Sequence, residues 1–94
     1  MTRLLEQHRT AILGIAAKHG ARNVRVFGSM ARPGATETSD VDILVDLAPG
    51  RSLLDQVGLQ QELEELLGKK VDIVVEGGIS PYLEERILAE AVPL

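Results

Sequence analysis

Val24-Arg25-Val26-Phe27-Gly28-Ser29-Met30-Ala31-Arg32, followed by Ser39-Asp40-Val41-Asp42-Ile43-Leu44-Val45, is the stretch that decides how this chain folds. It reads as a short apolar strand, a tight Gly-Ser turn, ten residues between Ser29 and Asp40, and a strand opening on two alternating carboxylates. Side chains alternate between the faces of a strand, so Asp40 and Asp42 point one way while Val41, Ile43 and Val45 point the other. Two carboxylates held that close repel unless a cation sits between them, and hard oxygen donors of this kind suit Mg²⁺ or Mn²⁺. A Gly-Ser turn leaving a strand can aim backbone N–H groups and a hydroxyl at phosphate oxygens.

Working outward, residues from Thr2 to about His19 read as one amphipathic helix, with Leu5, His8, Ile12, Ile15 and Ala16 on one face and Gly20 as its stop. A lone His on such a face is more often a packed side chain than a ligand, so neither His8 nor His19 is assigned chemistry. Asn23 to Phe27 is the first strand. Ser29 to about Arg32 is a single helical turn N-capped by Ser29, broken by Pro33-Gly34, and Ala35 to Ser39 is a polar loop. Asp40 to Leu47 is the second strand. A helix starts at Ser52 with Asp55 in capping-box position, draws its apolar stripe from Leu53, Val57, Leu63, Leu66 and Leu67, and stops at Gly68. Val71 to Glu76 is a third strand. Ser80 and Pro81 begin a last helix whose inner face is Leu83, Ile87, Leu88 and Ala91, and Glu84-Glu85 complement its dipole.

The fold class expected is α/β (α+β): a three-stranded mixed sheet with helices on one face, in the order αβαβαβα, as one domain over residues 1–94. A full helix joins the second and third strands, the connection expected of parallel neighbours. Their starts then lie about 4.8 Å apart, so Asp72 can join Asp40 and Asp42 at one edge. For Gly28-Ser29 to reach that edge, the first strand must run antiparallel to the second. Asp46 and Glu76 share the charged face but lie farther along, and read as surface residues.

Composition narrows the function classes. The net charge of −4 argues against a bulk electrostatic grip on nucleic acid, and one Phe and one Tyr leave almost no base-stacking platform. A mononucleotide remains open. The absence of cysteine suits a cytoplasmic protein, no apolar run approaches the ~20 residues of a membrane span, and no signal-peptide pattern opens the chain.

Gly28-Ser29 followed by Asp40-x-Asp42 resembles the nucleotidyltransferase superfamily of the DNA polymerase β type. The form Gly-Ser-x-Ala-Arg, then Ser-Asp-x-Asp before an apolar run, is most similar to its minimal members, the MNT-domain proteins that pair with HEPN-domain toxins. The resemblance implies a polymerase-β-like fold, with Asp40, Asp42 and Asp72 as catalytic residues and ligands of two Mg²⁺ ions (or Mn²⁺). It implies that Gly28, Ser29 and Arg32 hold the phosphates of ATP as donor, and that AMP passes to a Tyr hydroxyl of a HEPN toxin partner, with this chain as antitoxin. Family members often carry a second Arg four residues beyond Arg32; here that residue is Thr36, and Pro33 replaces a frequent Gly. Two other readings stay open: an antitoxin that neutralises by binding alone, and a transferase for a small hydroxylated compound such as an antibiotic.

Overall fold

A computed structural model describes residues 2–32 and 40–94 of the chain. Helices α1 (Arg3–Gln7) and α2 (Arg9–Lys18) lead into strand β1 (Ala21–Phe27), a 3-10 turn (Gly28–Ala31), strand β2 (Val41–Leu47), helix α3 (Leu53–Leu67), strand β3 (Val71–Val75), helix α4 (Pro81–Glu90) and strand β4 (Val92–Pro93). The Pro33-Gly34 break and the Ala35 to Ser39 loop lie outside the described residues.

The sheet order is β3-β2-β1-β4. β1 is antiparallel to β2, and β2 is parallel to β3 through the α3 crossover, as the argument from site to topology required. The sheet has four strands rather than three. The added strand, β4, pairs antiparallel with β1, and its two residues include a proline, too little periodicity to read from sequence. Leu94 follows it into the core, only 6% exposed, with its N–H donated to the Val24 carbonyl at 3.0 Å.

One face of the sheet carries the core. Val24 and Val26 of β1, Val41, Ile43 and Val45 of β2, and Val71 and Ile73 of β3 pack with Leu5, Ile12, Ala16, Leu59, Leu63 and Leu67 of the helices. A bulge between Arg22 and Arg25, with Asn23 at φ 53°, resets the alternation so that both Ala21 and Val24 turn inward. That irregularity hides the first residues of β1 from a strict period-two reading.

The helices differ from expectation in three places. The N-terminal helix is interrupted at His8, whose ring Nδ1 lies 2.9 Å from the Leu4 carbonyl oxygen. In α3 the Ser52–Asp55 capping box and the left-handed Gly68 stop are both present, but the inward stripe is Leu59, Leu63 and Leu67. Leu53 and Val57 are exposed, because the first turn of α3 projects beyond the core. In α4 the Ser80 cap and Pro81 stand where expected, yet no residue of the helix is buried and none joins the core. Its expected inner residues Leu83 and Leu88 are 50% and 41% exposed. The expectation of every helix packed on one oily face therefore fails for α4.

Side chains of α3 also close the outer edge of β3. Glu64 accepts the Val71 N–H at 3.0 Å and Gln56 donates to the Ile73 carbonyl at 3.1 Å, leaving fewer free groups for another strand to pair with.

These packing differences set unequal stabilities. Leu94→Ala should lower the unfolding free energy by about 2–5 kcal/mol, the usual range for emptying a packed leucine site, whereas Leu83→Ala should change it by about 0.5 kcal/mol or less. Urea denaturation of the two variants checks both figures.

Candidate active site

The parallel pairing of β2 with β3 sets Asp42 directly opposite Asp72, and the antiparallel pairing of β1 with β2 sets Phe27 opposite Asp42. Directly opposed residues share a sheet face, so the two carboxylates and the phenyl ring project together, away from the core. Asp40 lies exposed, one residue before β2 begins.

Gly28 follows Phe27 with φ 70°, and a Cβ built there would run into the Asp42 carboxylate. Two separate reasons thus require glycine: the left-handed backbone and the closeness of Asp42. The turn after it is a 3-10 turn capped from Phe27, so Ser29 is the second residue of the turn and not its N-cap as expected. Ser29 remains exposed beside it, with its hydroxyl open to a ligand, while Met30 is buried beneath.

Electrostatics mark Asp42 out. Burial raises its pKa above the ordinary carboxylate value, the charges of Asp72 and Asp40 raise it further, and so does its hydrogen-bond contact with Asp72. Among the described residues, however, no three His, Cys, Asp or Glu side chains are gathered tightly enough to hold a metal ion as they stand. The backbone register joins Asp42 to Asp72, while Asp72 and Asp40 are exposed and free to turn away from a like charge.

Farther along the same face, Asp46 and Glu76 are not loose surface acids. Arg25, 8% exposed, reaches Asp46 at 3.3 Å and Glu76 at 3.0 Å, and its Nε donates to the Asn23 carbonyl at 2.9 Å. Hydrogen bonds with Glu76 and Asn23 and the charge of Arg25 hold Asp46 below its usual range. Sequence reasoning passed over Arg25. Its one available signal was a cation breaking an otherwise apolar strand, opposite Leu44 in the register. His19 pairs with Glu62, consistent with its exclusion from the chemistry.

Beside Gly28 lies a groove of about 260 Å³ lined by Phe27, Gly28, Leu83, Arg86, Ile87 and Glu90. Arg32, exposed at the end of the turn, reaches Glu90 of α4 at 3.5 Å. None of the three aspartates lines this groove, nor the cavities at Glu6, Arg9 and residues 92–94 and at Gln61, Glu64 and Glu65.

The sequence profile of the nucleotidyltransferase domain matches residues 9–94. The chain belongs to the nucleotidyltransferase-domain family. A nucleotidyltransferase of this minimal kind has close relatives among archaeal proteins. One from Methanocaldococcus jannaschii, provisionally named a protein adenylyltransferase, is 49% identical over 88 residues, covering 94% of this chain and 95% of the relative. The protein adenylyltransferase MntA of Thermococcus cleftensis is 43% identical over 75 residues, covering 80% and 76%. Among solved structures, one described provisionally as a minimal nucleotidyltransferase superposes with a TM-score of 0.85 at 53% identity, covering 96% of this chain and 92% of that one. A complex of tri-AMPylated Shewanella oneidensis HEPN toxin with its MNT antitoxin shares the fold, with a TM-score of 0.72 at 20% identity, covering 94% and 69%. No helix among the described residues is long and apolar enough to cross a membrane.

The raised pKa of Asp42 has a sign that can be measured. Because the folded value exceeds the unfolded one, the contribution of Asp42 to stability is present below the unfolded pKa and is lost as pH rises through the folded value. Asp42→Asn should therefore be more stable than the wild type at pH 7 in chelator, and the advantage should disappear below about pH 4. Thermal melts across that pH range test this.

Proposed function

We propose that this nucleotidyltransferase moves AMP from ATP to a Tyr hydroxyl of a HEPN-domain toxin, and so acts as its antitoxin in the cytoplasm. The observation that carries the reading is the register of Asp42 with Asp72 beside a positive-φ Gly28 that leaves room for the Asp42 carboxylate. The adenylyltransferase relatives and the AMPylated HEPN complex support the adenylyl donor and the partner.

The residues fit divalent cations. The donor set is all carboxylate oxygen, and the mutual repulsion that raises Asp42 is the kind an ion would relieve. Asp40, Asp42 and Asp72 would hold Mg²⁺, two ions on this reading, or Mn²⁺. Bound there, the metal would supply charge stabilisation to the displacement at phosphorus.

The chain's own residues divide the remaining work. Gly28 brings its backbone close to the donor, and Ser29 and Arg32 offer a hydroxyl and a guanidinium to the outer phosphates. Asp72, the most accessible of the opposed pair, takes the proton from the acceptor hydroxyl. The acceptor oxygen then forms its bond to the α-phosphorus, the α–β anhydride bond breaks, and pyrophosphate leaves. On this reading a partner protein presents the acceptor hydroxyl to the edge that carries the aspartates. Leu54 and Tyr82, 82% and 75% accessible, are exposed apolar surface that a partner could cover. The same surface favours the second reading, in which binding alone neutralises the toxin.

With α-labelled ATP, Mg²⁺ and a purified HEPN-domain toxin, the toxin should become labelled. Asp42→Ala should slow labelling by about 10²–10³-fold or more; labelling at the wild-type rate would refute the mechanism. Gly28→Ala should also lose labelling, and cost about 1–2 kcal/mol of stability from its left-handed backbone. An Asp42→Ala protein that binds the toxin without silencing it excludes neutralisation by occlusion.

A further inference from the structure

We infer that Arg86 of α4 is a second phosphate-binding cation, closing the groove beside Gly28 on the outer phosphates of the donor nucleotide. The inference rests on the nucleotidyltransfer reading above and adds to it a residue on a different element from the Gly-Ser turn.

The first observation is placement. Leu83, Arg86, Ile87 and Glu90 recur at the three-and-four spacing of one helix face, and all four line the groove whose other wall is Phe27 and Gly28. Gly28 is also the residue pressed against Asp42, so the groove borders the candidate centre at that one residue, although no aspartate lines it.

The second is that folding does not explain this face. No residue of α4 is buried and none belongs to the core. Leu83 is half exposed although it points along the groove, as a wall awaiting an occupant would be.

Charge is the third. Asp40, Asp42 and Asp72 make this edge acidic, so a polyphosphate needs cations supplied by the protein as well as by metal. Arg32 stands at the turn and is tied to Glu90 at 3.5 Å. Arg86, one helical turn before Glu90, forms no ion pair with a described carboxylate. Glu90 thus links Arg32, which does not itself line the groove, to the helix face that carries Arg86.

A guanidinium suits the role because it pairs with phosphate through two parallel N–H groups.

Calorimetry with magnesium tripolyphosphate, ATP and AMP as separate probes tests the assignment on the full chain. Arg86→Met keeps the aliphatic stem and removes the charge. It should raise the Kd for tripolyphosphate and ATP by roughly 10- to 100-fold, the usual loss for a charged hydrogen bond. Its AMP affinity and melting temperature should stay at wild-type values, and Arg86→Lys should recover part of the loss. Arg86→Met binding tripolyphosphate as tightly as the wild type overturns the inference, and continued labelling of the partner would then leave the transfer reading intact. Equal weakening toward AMP and tripolyphosphate overturns it too, since the residue would then be shaping the groove instead of binding phosphate. A wild-type chain that binds neither ATP nor tripolyphosphate in Mg²⁺ removes the nucleotide site and this inference with it.

Discussion

Asp42 and Asp72 face each other because β2 and β3 run parallel in register, and the backbone cannot separate them without breaking the sheet. A one-residue slip would send the whole inner row Val71, Ile73 and Val75 to the opposite face. The core that fixes the register, fully buried Val41, Ile43, Val45 and Val71 among it, therefore also enforces the repulsion at the strand starts. The raised pKa of Asp42 is the energetic trace of that conflict. Two apposed acids are a poor choice for stability alone, and the proposed function accounts for them as ligands of cations beside a phosphate site.

The two faces of the sheet solve different problems. One is covered by α2 and α3 and holds nearly all the apolar burial. On the other, Leu44 is fully buried without belonging to that core, opposite Arg25 in the register. The arginine stem shields it while the guanidinium ties Asp46 of β2 to Glu76 just past β3. Negative charge at this end is neutralised from within the chain. At the other end, where Asp40, Asp42 and Asp72 lie, no ion pair among the described residues does the same. The contrast between a closed and an open cluster on one face separates structure from chemistry more sharply than the count of acids does.

What could be read in the sequence follows from how local its causes are. The alternation through Asp40 to Val45, the Ser52–Asp55 box, the Gly68 stop and the Ser80-Pro81 start are each written within a few residues, and each is found in place. The antiparallel run of β1 came from requiring Gly28 to meet the aspartates, and it stands. β4 was invisible because two residues carry no period, and its formation depends on an open edge of β1 far away in sequence. The outward turn of Leu53 and Val57 was equally hidden, since periodicity names a stripe but not how far the helix overhangs its support. For the site, the sequence placed Asp42 and Asp72 together and put Gly28 beside them, whereas the roles of Arg25 and Arg86 depend on tertiary neighbours that no spacing rule supplies.

Helix α4 shows where fold and function part company. Its start is well specified: Ser80 caps Leu83, Pro81 presets the first turn, and Glu84 accepts the Gly77 N–H at 2.7 Å. Those local bonds hold the helix as a helix without committing its apolar side chains to the core. An element with strong caps and little burial sits at the low end of local stability, so its position against Phe27 and Gly28 is cheap to adjust. A groove wall of that kind can settle onto a ligand or a partner without disturbing the sheet, because the residues that fix the aspartates belong to β1, β2 and β3 and to the helices on the opposite face.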